Sequence, residues 1–337
     1  MRSPQEALAR LSGLPTMALG KWPTPIDRVA LPGLSPILVK RDDLSEWGRG
    51  GAKARKIRYL IGHMQRRGYT DLVTVAGNIT NLAFDLLPAL DRAGLGAHLH
   101  IIDDPPAESE DRGRIFAGVT DRVTLLGPSR WEAFRVTIRC WQKLRARGRR
   151  PLWLLPGISH PSGILANACG FVEMVDQLVA QGRRVPSTVF VTAATGTTLA
   201  GFVLAERLLR SLGHRPVRVI GVQVYSGPVV SNTRWLGRWA AQFAGQNVPL
   251  RLPVEIASGA LCGGFGRFTP ALAASCERVG EQTGLSLDPI FGGKTWSVME
   301  RHLLQTEPPE EDVLYWHCGF TPEWRRLGRM IERSELS

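Results

Sequence analysis

Gly50-Gly51-Ala52-Lys53-Ala54-Arg55-Lys56-Ile57 sets a lysine just behind a glycine pair, at the start of a helical pattern. Glycines let the backbone approach a bound group closely and take dihedrals closed to other residues. An amine held there, among other cations and partly buried, can act as a nucleophile or Schiff-base former. Taken alone, the octapeptide more often marks a solvated surface lysine. The rest of the chain decides between the two readings.

Downstream, Ile57, Leu60, Ile61 and Met64 recur at helical spacing, which predicts a helix over Lys53 to Arg67. Upstream, Pro36 to Lys40 reads as a strand. Further strands are expected at Leu72–Val75, Gly96–Ile102, Leu152–Leu155, Thr188–Thr192, Val217–Val222 and Val313–His317. Helical patterns alternate with them over Trp131–Arg147, Asn167–Gln181 and Leu199–Leu212, and another opens near Thr80-Asn81. Alternation of this kind predicts an α/β protein with largely parallel sheets. Only Ser226 to Gly264 is hard to read, with Trp235 and Trp239 one helical turn apart.

Composition narrows the function classes. The 337 residues, 44% hydrophobic and 21% charged, suit two domains or one large α/β unit with a substantial core. No stretch approaches the uninterrupted apolar run of a membrane span, and the N-terminal residues lack the apolar stretch of a secretory signal. Cys140, Cys169, Cys262, Cys276 and Cys318 form no CxxC pair. Their scatter argues against a zinc site or a disulfide framework and places the protein in a reducing cytoplasm. The net charge of +12 raises a nucleic-acid partner, but the arginines are dispersed and carry no recognition motif.

Ligands in open α/β folds collect where strands feed helices. Four such junctions carry chemistry. Ala193-Ala194-Thr195-Gly196-Thr197-Thr198 opens a helix with amides and hydroxyls that suit a phosphate, although Thr195 or Thr197 could simply cap it. Ala76-Gly77-Asn78-Ile79-Thr80-Asn81 offers amides and a hydroxyl for a carboxylate, or for capping. Pro156-Gly157-Ile158-Ser159-His160-Pro161-Ser162-Gly163 and Leu287-Asp288-Pro289-Ile290-Phe291-Gly292-Gly293-Lys294 complete the set, with Lys294 read as a ligand group or a surface lysine.

In order along the chain, these segments resemble the pyridoxal-phosphate enzymes of the tryptophan-synthase-β-like fold (fold type II). More closely, they resemble the 1-aminocyclopropane-1-carboxylate deaminase/D-cysteine desulfhydrase family. Pro23-Thr24-Pro25, Lys40-Arg41-Asp42-Asp43-Leu44 and Gly264-Phe265-Gly266 add to the match, which runs over nearly the whole chain. The ordered set settles the reading of Lys53. The resemblance implies two open twisted-sheet domains with helices on both faces and the cofactor between them. Residues 1–50 with 164–337 form the larger, and 51–163 the smaller, which carries the Schiff-base lysine. It implies that Lys53 anchors pyridoxal 5'-phosphate and moves the Cα proton, that Asn81 bonds the phenolic oxygen, and that Ala194 to Thr198 cradle the phosphate. Thr80 stands near the substrate carboxylate and reacting carbon, in a pocket expected to include Asn78, Gly157, Ser159, Phe265 and Phe291. A small amino-acid substrate and a homodimer follow from the same likeness, with no metal, nucleic-acid or membrane partner.

Departures from the family pattern bear on the reaction. Ala52 replaces the usual asparagine before the lysine, and Ile79-Thr80-Asn81-Leu82 replaces Gln-Ser-Asn-His. Phe265 and Phe291 stand where the family has tyrosines, and phenylalanine neither donates nor accepts a proton. Cys318 or Gly292 falls opposite the pyridine nitrogen. Ring opening of a cyclopropane needs the acid/base help these changes remove. β-Elimination to a keto acid and ammonia needs less, so a lyase is the leading expectation. A β-replacement synthase, a racemase or a cofactor-binding homologue without turnover are the alternatives.

Overall fold

The computed structural model describes residues 3–11, 13–77, 82–102, 122–246, 251–305 and 312–331. Two sheets organise it. One has six strands in the order β1-β2-β11-β7-β8-β9, comprising β1 (Ile26–Val29), β2 (Ile37–Arg41), β7 (Thr188–Ala193), β8 (Arg218–Gln223), β9 (Glu255–Ala257) and β11 (Val313–His317). All neighbours in it are parallel except the β1–β2 edge pair. The other has four parallel strands in the order β5-β4-β3-β6, comprising β3 (Asp71–Gly77), β4 (Gly96–Ile102), β5 (Val123–Leu126) and β6 (Pro151–Leu154). A short parallel pair, β10 (Arg267–Phe268) with β12 (Arg329–Met330), stands apart.

Strand side chains alternate between faces, and the six-stranded sheet buries both. Leu38, Val189, Val191, Val219, Leu314 and Trp316 pack with helices Pro161–Ala180 and Thr197–Ser211. Ile37, Val39, Phe190, Ile220, Val313 and Tyr315 face the opposite way, toward helices Pro270–Thr283 and Gly292–Gln305. On the four-stranded sheet, Leu72, Leu99, Ile101 and Leu154 form a separate core with the lysine helix, Ala52–Arg67, and helix Leu82–Arg92.

Three expectations need correction. The helix expected from Asn167 begins at Pro161, because His160 caps it: its ring nitrogen accepts the Ser162 N–H at 3.2 Å, and proline fills the first turn. That helix is also long and apolar enough to cross a membrane by length and composition, although the sequence suggested no such segment. Most of it is buried against the sheet and its neighbouring helices, as a central core helix requires. Lys294 is neither a surface nor a ligand lysine. It is fully buried on helix Gly292–Gln305, and its Nζ donates to the carbonyls of Leu261 (2.8 Å) and Gly264 (2.9 Å).

Candidate active site

The glycine pair before Lys53 serves the backbone. Gly50 and Gly51 have φ of 70° and 87°. A Cβ on Gly50 would collide with the Asp43 carbonyl oxygen, and one on Gly51 with that of Cys318. The Gly51 N–H donates to Asp42 O at 2.7 Å, and the Ala52 N–H to Cys318 O at 3.1 Å. The lysine helix is therefore seated on the C-terminal ends of the adjacent strands β2 and β11. The close approach read from the sequence is real, but it is chain against chain.

Lys53 is half-buried at the head of this helix, its Nζ 5.8 Å from the centre of the Phe291 ring. Two buried carboxyls feel its charge. Burial pushes Asp85 up to about 6, opposed by the bond from the Arg49 N–H (2.7 Å) and by Lys53. Burial likewise pushes Asp288 up to about 6, opposed by N–H donors from Phe291 (2.7 Å), Thr321 (3.2 Å) and Ile290 (3.0 Å). Asp288 thereby fixes the turn that presents Phe291.

One turn along the same face, Lys56 is buried, and its Nζ donates to Gly157 O at 2.9 Å. Burial, then the neighbouring Lys53 ammonium, lower it to about 7. Gly157 has φ of 78°, and a Cβ there would run into the Thr195 side chain. Ser159 Oγ donates to Pro156 O at 2.6 Å and lies 2.6 Å from Thr197 Oγ1, which lies 2.9 Å from Thr195 Oγ1. Since the one Ser159 hydrogen goes to Pro156, Thr197 donates to Ser159 and Thr195 to Thr197. The structure thus brings Gly157 and Ser159 onto the Thr195–Thr197 turn, in one line of contacts that starts at the lysine helix.

Helix Thr197–Ser211 opens at Gly196, in the left-handed region at φ 87°, and no side chain caps it. Its first N–H groups are left without intrahelical acceptors. Ala194 and Thr195 are half-buried on the approach, and Thr197 and Thr198 are buried. A Cβ on Gly196 would meet Thr233 Oγ1, a buried hydroxyl with no partner among the described residues. Phe265 and Phe291 pack against each other, ring centres 5.7 Å apart. Cys318 sits beside the glycine pair, and burial, then Asp42, push its thiol up to about 12, so it is neutral. Asn78, Thr80 and Asn81 lie outside the described residues.

These residues fit pyridoxal phosphate. An uncapped helix start headed by glycine suits a phosphate. An orphaned hydroxyl stands at that head, a buried amine leans on the turn beside it, and a second amine lies one helical turn away. Sequence reading quoted Lys56 without assigning it a role and passed over Asp85. The signal for Lys56 was its spacing of three from Lys53, which puts both on one helix face.

The family model described as "Pyridoxal-phosphate dependent enzyme" matches residues 17–319. A Pyrococcus abyssi protein named "Putative 1-aminocyclopropane-1-carboxylate deaminase" is 30% identical over 93% of this chain and 94% of its own. The Arabidopsis thaliana mitochondrial bifunctional D-cysteine desulfhydrase/1-aminocyclopropane-1-carboxylate deaminase is 25% identical over 87% of this chain and 75% of its own. Among solved structures, an ACC deaminase homologue superposes with a TM-score of 0.78 at 26% identity, covering 93% of this chain and 94% of that one. Together with the site geometry, these matches show that the chain belongs to the pyridoxal-phosphate dependent enzymes.

Proposed function

We propose that this protein is a pyridoxal-phosphate-dependent lyase that acts on a small amino acid by Cα-proton abstraction and β-elimination, yielding a keto acid and ammonia. The observation that carries this reading is the contact line from the lysine helix through Lys56, Gly157 and Thr195 to the uncapped head of helix Thr197–Ser211. Lys53 holds the cofactor and is the base that takes the proton from Cα. The amides and hydroxyls of the Ala194–Thr198 turn hold the phosphate, and the Lys56 amine is bonded to the adjacent Gly157 carbonyl. The cofactor supplies the electron sink for the pair left on Cα. Asn81 and Thr80 contribute the phenolic-oxygen and carboxylate contacts. The neutral Cys318 thiol, or Gly292, would stand opposite the ring nitrogen and leave it without a charged partner, which would favour elimination over transamination. Phe265 and Phe291 give no proton to a leaving group, so a substituent that departs as a stable anion is favoured.

In this reading the smaller domain covers residues 51–163 and the larger the remainder. The protein is a cytoplasmic homodimer with no nucleic-acid or membrane partner, supported by five free cysteines and the exposed Trp235. Sedimentation of the holoprotein tests the dimer.

Purified protein should carry the visible absorbance of bound cofactor, and Lys53→Ala should lose it while keeping the far-ultraviolet circular dichroism of the fold. With D- and L-amino acids in deuterated water, the wild type should exchange the Cα proton of at least one. A colourless protein that takes up no cofactor would overturn the reading, and cofactor binding without exchange would leave a homologue without turnover.

A further inference from the structure

A line of aromatic rings leads away from the reacting amine. It begins with Phe291, 5.8 Å from Lys53 Nζ and held by its N–H bond to Asp288 Oδ1. Phe265 follows at 5.7 Å and 58°, then Tyr225 at 6.3 Å and 88°. Both separations lie within the range of favourable tilted and edge-to-face ring pairs. The Tyr225 hydroxyl accepts a bond from Arg130 Nη1 at 3.4 Å, so the outer end of the line meets a helix of the four-stranded sheet. All three rings are half-buried. Each is packed on one side and keeps some surface open.

The loop that carries Phe265 is built to hold it. Cys262, Gly263, Gly264 and Gly266 have φ of 51°, 72°, 127° and 75°. Buried Lys294 ties the loop down at Leu261 and Gly264. A ring on so constrained a loop is a pre-formed wall.

The geometry points to a substrate class: amino acids with an apolar sulfur-linked β-substituent, S-alkyl or S-aryl cysteines, whose substituent lies along Phe291, Phe265 and Tyr225. This rests on the lyase reading above and narrows it. Next to the reacting amine, a free thiol or hydroxyl would meet the Phe291 and Phe265 rings, which cannot bond it, whereas a thioether with an apolar body buries carbon on carbon. The leaving group points the same way. The two phenylalanines offer it no proton, and a thiolate departs unprotonated far more readily than an alkoxide. The Cα–H and Cβ–S bonds break, and the C–S pair leaves with sulfur. Water enters, giving RSCH2CH(NH3+)COO− + H2O → RSH + CH3COCOO− + NH4+.

The holoenzyme would be given both enantiomers of S-phenylcysteine, S-methylcysteine and β-chloroalanine. Two readouts are taken: kcat/KM for keto-acid release, and Kd from the change in the visible spectrum of the bound cofactor. S-phenylcysteine should have a kcat/KM about tenfold or more higher, and a Kd about tenfold or more lower, than S-methylcysteine, the discrimination that burial of one ring supports. Phe265→Ala should erase that ratio. Phe265→Leu, which keeps apolar bulk and so separates a lost ring from a disturbed loop, should keep part of it. Equal or reversed preference in both readouts, with β-chloroalanine still eliminated, would overturn the substrate class and leave the lyase reading standing. If β-chloroalanine is not eliminated, the lyase reading falls, and the Kd ratio alone decides the wall.

Discussion

Replacing Glu173 by glutamine should weaken the fold by about 3 kcal/mol at neutral pH, because it breaks a balanced buried cluster beneath the lysine helix. The cluster contains two cations and two anions. Lys40 Nζ lies 2.7 Å from Glu173 Oε1, Arg55 Nη1 lies 2.8 Å from Glu173 Oε2, and Arg55 Nη2 lies 2.7 Å from Asp42 Oδ1. Lys40 and Asp42 are fully buried, Arg55 is 2% exposed, and the Glu173 side chain is 18% exposed. Burial alone would raise the Glu173 carboxyl, but Arg55 and then Lys40 outweigh it and hold it at about 2, against an ordinary 4.5. At about 1.4 kcal/mol per pKa unit, that gap is worth about 3 kcal/mol. It agrees with the roughly 3–5 kcal/mol expected when one partner of a buried pair is removed.

The sign follows from a depressed acid. The contribution is complete above about pH 4.5 and disappears as pH falls through about 2. For a chain of this length the change lowers Tm by roughly 4 °C at pH 7. Urea unfolding followed by circular dichroism should show wild type and Glu173→Gln about 3 kcal/mol apart at pH 7 and converging in strong acid. Adding Lys40→Met to Glu173→Gln restores charge balance and should recover part of the loss. A difference under about 1 kcal/mol at pH 7, or one that persists unchanged at pH 2, would refute the argument.

Two further substitutions probe the site and its supports. Gly196→Ala forces a side chain into the left-handed region, at about 1–2 kcal/mol, and against the Thr233 hydroxyl. Cofactor affinity measured by spectral titration should fall about tenfold or more, and unchanged affinity would remove Gly196 from the phosphate cradle. Lys294→Met leaves the Leu261 and Gly264 carbonyls without their donor, at about 1–3 kcal/mol each where they stay dry. Limited proteolysis should become faster within residues 259–266, with KM rising more than kcat falls; a loop as resistant as wild type would show that the ammonium does not hold it.

The βα repetition was legible because hydrophobic period is a local signal. Gly96–Ile102 and Val313–His317 form strands with the bounds the pattern predicts, and the lysine helix differs by one residue at its start. Local signals failed where the determinant is a contact. His160 is not a common helix cap, so the helix's first three residues, Pro161 to Gly163, read as part of an irregular turn. Lys40, Asp42, Arg55 and Glu173 are ordinary charged residues in a sequence, and only the fold brings Lys40 to Glu173 from 133 positions away. The same holds for Lys294, whose acceptors lie in a separate glycine-rich loop.

The lysine helix shows both cases within four residues. Lys53 is singled out only by the ordered set of turns along the chain, and the glycines before it make room for the Asp43 and Cys318 carbonyls. For Lys56 the sequence offers only its spacing of three from Lys53, while its burial and its bond to a Gly157 carbonyl 101 positions distant come from the fold. Arg55, between them in sequence, points from the opposite helix face into the ion cluster on the larger sheet. One short segment therefore turns two amines toward the candidate site and anchors itself by a guanidinium behind them. Substitutions at Arg55 or Glu173 should accordingly disturb cofactor binding only to the extent that they loosen this helix.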